Sequence, residues 1–73
     1  MYKNYKNFVK DMLVENGFHP LSISKRGDEV TFTVLNDSDF NAILELLKTR
    51  YSYFEYNKKR NLFVVTVGCE NAI

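Results

Sequence analysis

Tyr51 and Tyr53 lie two residues apart, and Leu62 and Val64 repeat that spacing further on. On paired strands this spacing places all four side chains on one face of a sheet. Such a face can stack nucleobases, each worth ~1–3 kcal/mol, or receive a protein, because tyrosine is enriched at interfaces. Lys58, Lys59 and Arg60 form a cationic run suited to phosphate or an acidic partner. Lys3, Lys6 and Lys10 recur at helical spacing and make a second basic strip.

The residue types used for catalysis are sparse. His19 is the sole histidine and sits before Pro20, the setting of a turn. Cys69 is the sole cysteine, and no basic neighbour in sequence is placed to lower its pKa. A dyad of the two would lack an orienting third group and an oxyanion site. Asp37-Ser38-Asp39 resembles a D-x-D metal motif, but its position suits it to cap a helix. The three glycines are far apart, which excludes a phosphate-cradling loop or a dinucleotide fingerprint. Arg26-Gly27-Asp28 reads as a turn, and Asn36-Asp37-Ser38 as a glycosylation sequon unused in a reducing compartment. No catalytic residue, metal or cofactor is expected.

Two amphipathic helix-then-hairpin units position these residues. Tyr2 to Asn16 is expected to be helical, with Tyr2, Tyr5, Phe8, Val9, Met12 and Leu13 forming one apolar stripe. Gly17 is placed to end that helix in the left-handed C′ conformation, with Phe18 folding back onto the last turn. Leu21 to Lys25 and Val30 to Leu35 alternate with period two, β-branched residues on both limbs, around Arg26-Gly27-Asp28. The second helix starts after the caps at Asn36 to Asp39 and carries Phe40, Ile43, Leu44 and Leu47 inward.

Tyr51 to Tyr56 and Leu62 to Val67 form the second hairpin around Asn57 to Asn61. Asn57 opposite Leu62 turns Ser52, Phe54, Tyr56, Phe63, Val65 and Val67 inward, and leaves Tyr51, Tyr53, Glu55, Leu62, Val64 and Thr66 outside. Residues 69–73 read as a frayed tail. The order αββαββ predicts an α+β fold of two layers, with two helices on one face of a four-stranded sheet. It is the ferredoxin-like βαββαβ order with its first strand moved to the end, a fold analogy that implies no activity.

The 73 residues make one domain with a core that rarely supplies more than ~3–5 kcal/mol. One cysteine allows no internal disulfide, so apolar packing carries the fold, and a second copy would supplement it. Homodimer and monomer stand level on this ground. Ten basic against nine acidic residues argue against a strongly charged nucleic-acid clamp. No apolar run suits a signal peptide or a membrane span, which points to the cytoplasm. Frequent Lys, Asn, Tyr, Phe and Ile, all with AT-rich codons, fit a low-GC bacterium or its phage.

The expectation is a non-enzymatic, protein-binding regulator: an adaptor, inhibitor or antitoxin-like factor docking through an exposed sheet face or edge strand. A single-stranded nucleic-acid binder is the first alternative, and a structural subunit of an oligomer the second.

Overall fold

The computed structural model describes residues 4–35 and 40–73. The expected caps at Asn36 to Asp39, together with Tyr2 and Lys3, lie outside the described residues. Helix α1 spans Tyr5–Glu15 and strands β1 and β2 span Ser22–Arg26 and Glu29–Leu35. Helix α2 covers Phe40–Arg50, followed by β3 at Phe54–Lys59 and β4 at Leu62–Gly68. A 3₁₀ turn at Cys69–Asn71 ends the described order.

Helix α1 closes as its sequence dictates. Gly17 adopts φ 86, the Phe18 N–H donates to the Leu13 carbonyl at 2.8 Å, and the Gly17 N–H donates to Val14 at 3.0 Å. These are the two bonds of a Schellman motif, and Phe18 packs back onto the core. In the first hairpin Arg26 pairs with Glu29, so the turn is Gly27-Asp28, with Gly27 at φ 61. A positive φ at the first central residue suits a tight turn whose twist matches the strands.

The four strands form one antiparallel sheet in the order β1-β2-β4-β3. This is the strand order of the permuted ferredoxin-like arrangement. Tyr5, Val9, Met12 and Leu13 of α1 and Phe40, Ile43 and Leu47 of α2 share a single buried cluster with Val30, Phe32, Val34, Val65 and Val67 of the central strands. Both helices therefore cover the same face. At the start of α2, Phe40 stacks on Phe63 with ring centroids 3.5 Å apart and meets Tyr56 edge-on at 5.5 Å.

Three expectations need correction. The second hairpin turns at Arg60-Asn61, because Lys59 pairs with Leu62 and Asn57 with Val64. The ladder is thus longer than expected and its register differs by two residues, a shift that leaves every side chain on the same face. Strand β3 starts at Phe54, so Tyr51, Ser52 and Tyr53 precede it. Residues 69–73 are not frayed either. Cys69 donates its N–H to Asp28, Ser52 to Asn71 and Ile73 to Arg50, at 2.8, 2.8 and 2.9 Å.

Candidate functional site

The ladders lay out the uncovered face residue by residue. Since Val30, Phe32, Val34, Val65 and Val67 point at the helices, the alternate residues point away from them. Cross-strand pairing then gives successive rows on the open face. Leu35 and Leu62 lie beside Lys59; Ser22, Thr33, Val64 and Asn57 form the next row. Ser24, Thr31, Thr66 and Glu55 follow, and Arg26, Glu29 and Gly68 form the last. The Thr31 and Thr66 hydroxyls hydrogen-bond to each other at 3.1 Å, which places both side chains on this face.

The resulting surface is aliphatic at one end, hydroxyl-rich in the middle and charged at its margins. Leu35 is 51% exposed, while Leu62 and Val64 are half-buried by their neighbours. Tyr53, 57% exposed, lies just ahead of β3 and donates its hydroxyl to Glu55 Oε2 at 2.7 Å. That bond, then the nearby negative charge and slight desolvation, raises the Tyr53 pKa above its ordinary value of 10.0.

Of the expected docking residues, Tyr53, Leu62 and Val64 lie on or beside the open face. Tyr51 does not. It is 3% exposed, and its hydroxyl lies 2.6 Å from the equally buried Tyr5 hydroxyl of α1. The Tyr51 N–H donates to the Leu47 carbonyl at 2.8 Å, so the chain is still turning helically there. Tyr51 continues the inward stripe four residues after Leu47. Its removal from the face leaves Tyr53 as the one expected stacking residue there.

The expected basic tip is also dispersed. Lys58 and Lys59 are the last two residues of β3 and alternate across the sheet, while Arg60 occupies the turn with φ 53. Lys6 is half-buried and Lys10 exposed on α1. Lys3 lies outside the described residues. His19 is exposed in the loop after α1, and Cys69 is half-buried in the 3₁₀ turn. Among the described residues, no three His, Cys, Asp or Glu side chains are grouped to hold a metal.

The ordered tail builds a feature that sequence reasoning missed. Phe8, Met12, Arg50, Tyr51, Ala72 and Ile73 line a cleft of about 210 Å³. This falls below the ~300 Å³ at which small-ligand pockets ordinarily begin. Its only advance signals were an apolar Ala72-Ile73 ending and the helical spacing of Tyr51. No helix among the described residues is long and apolar enough to cross a membrane. Comparison with known proteins finds no matching family, no matching curated protein and no matching solved structure.

Proposed function

We propose that this chain is a small non-enzymatic, protein-binding regulator that docks through its open sheet face. The observation that carries the reading is the strip made by Leu35, Leu62 and Val64 beside the Thr31, Thr33 and Thr66 methyls, with neither described helix over it. A mixed surface of this kind, with an aliphatic end, a hydroxyl-bearing middle and charges at its margins, resembles the mixed apolar and polar make-up of a protein interface. Arg26 and Glu29 at one margin and Glu55 and Lys59 at the other supply both signs, which suits a protein better than a polyanion.

The tagged chain is expected to capture one defined protein from its source cell in stoichiometric amount. Val64→Lys puts a charge in the middle of the face and removes that capture. Tyr56→Ala, on the helix side of the same sheet, preserves it. Equal loss from both variants, with unchanged circular dichroism, would move the docking surface elsewhere.

A further inference from the structure

We infer that the open sheet face is a self-association surface and that its occupant is a second copy of this chain, packed face to face with its strands aligned. The inference rests on the docking reading above and adds the identity of the occupant.

The grid of the open face is self-complementary about a twofold axis lying between the two sheets, parallel to the strands and midway between β2 and β4. Rotation about that axis keeps each row at its level and exchanges the columns. Strand β2 of one copy then lies over β4 of the other, and β1 over β3. Leu35 meets the second copy's Leu62, Thr33 meets Val64, and Thr31 meets Thr66. An isologous interface makes every such contact twice. The aliphatic end of the face thus falls on an aliphatic end, whereas an axis at right angles to the strands would set Leu35 and Leu62 against Glu29 and Gly68.

The charges follow the same axis. Arg26 ends β1, at one edge, and Glu55 lies on β3, at the other, bonded to Tyr53 just ahead of that strand. Column exchange brings Arg26 within one row of the second copy's Glu55. One row is ~7 Å along the strand and packed sheets lie ~10 Å apart, a span that an arginine reaching across to a tyrosine–carboxylate pair can cover. Glu29 falls opposite the second copy's Gly68, where no side chain opposes it, and Lys59 projects past the start of β1. The hydroxyls of Thr31 and Thr66 are hydrogen-bonded to each other at 3.1 Å, so each keeps one partner when the face is covered.

Four strands ~4.8 Å apart and about five residues of ~3.4 Å give a footprint of roughly 300 Å² per copy. That is well below a standard interface, so the dimer is weak and transient and forms only at high concentration.

Sedimentation velocity over ~5–500 μM is the test, since mass action makes a weak dimer visible only across such a range. The weight-average mass is expected to climb from the 8.6 kDa monomer toward twice that value. Val64→Lys stays monomeric with an unchanged circular dichroism spectrum. Arg26→Glu and Glu55→Arg each raise Kd about tenfold, and the two together return it to within about threefold of the original. A double swap no tighter than either single change overturns this alignment, as does dimerisation that ignores Val64→Lys. A chain monomeric throughout overturns the second copy as occupant. If capture of another protein then still depends on Val64, the docking reading survives; if it does not, both fall.

Discussion

Two tyrosines that look equivalent in the sequence have opposite fates. Tyr51 is buried against Tyr5, and the shared hydroxyl bond offsets the cost of taking both phenols out of water. Tyr51→Phe is expected to cost ~1–2 kcal/mol, with Tyr5→Phe/Tyr51→Phe costing less than the sum of the single changes, as read from thermal melts. Additive losses would show that the two hydroxyls do not act on each other. Tyr53 is exposed and bonded to Glu55, so its phenol holds its proton above the ordinary pKa of 10.0. Because the folded value is the higher one, whatever the bond contributes is present below the unfolded pKa. It is lost as pH rises through the folded one. Spectrophotometric titration should show one late-ionising tyrosine in the exposed class, and Glu55→Gln should return it toward the ordinary value.

The elements were largely legible because their signals are local. Gly17 with Phe18 spells a helix end, and alternation from Val30 to Leu35 names both faces of β2, whose buried residues are Val30, Phe32 and Val34. What misled was a handover between periods. Tyr51 fits both the strand pattern of Tyr51, Tyr53 and Glu55 and the helix pattern of Leu47 plus four, and tertiary packing against Tyr5 decides between them. The second turn failed for a related reason. Lys58, Lys59 and Arg60 read as a loop, yet the two lysines complete an edge strand, where charge is tolerated and discourages further pairing. The tight turn then forces Arg60 to φ 53, a conformation costing ~1–2 kcal/mol for a residue with a Cβ. Arg60→Gly relieves that cost against a smaller loss of unfolded-chain entropy, so a net gain of ~0.5–1 kcal/mol is expected in a thermal melt. Lys6 lies in the first turn of α1, where no acid is present and a cation opposes the helix dipole. Lys6→Glu should add ~0.3–1 kcal/mol at low ionic strength and less in high salt.

A small domain has little stability to distribute, about 0.05–0.15 kcal/mol per residue, so its closing contacts matter out of proportion to their length. Residues 69–73 show this most clearly. The sequence read as a frayed tail there, since five residues after the last strand carry no periodic signal. In the fold they bond to two regions that are distant from each other along the chain. Cys69 N–H binds Asp28 in the first turn, and Asn71 receives both the N–H and the hydroxyl of Ser52. Ala72 bridges to Tyr51 and Ile73 N–H reaches Arg50. The segment thereby walls one side of the cleft that Phe8 and Tyr51 also line. Truncation after Gly68 removes these bonds, each worth roughly 0.5–1.5 kcal/mol net, and uncovers Tyr51. The loss should total about 2–4 kcal/mol and lower Tm by ~8–30 °C, since ~1 kcal/mol moves a domain of this size by ~4–8 °C. The sheet ladders contain none of the deleted residues, so its circular dichroism at low temperature should keep the same strand signal. A truncated chain melting at the original temperature would mean that the tail merely rests against a fold complete without it.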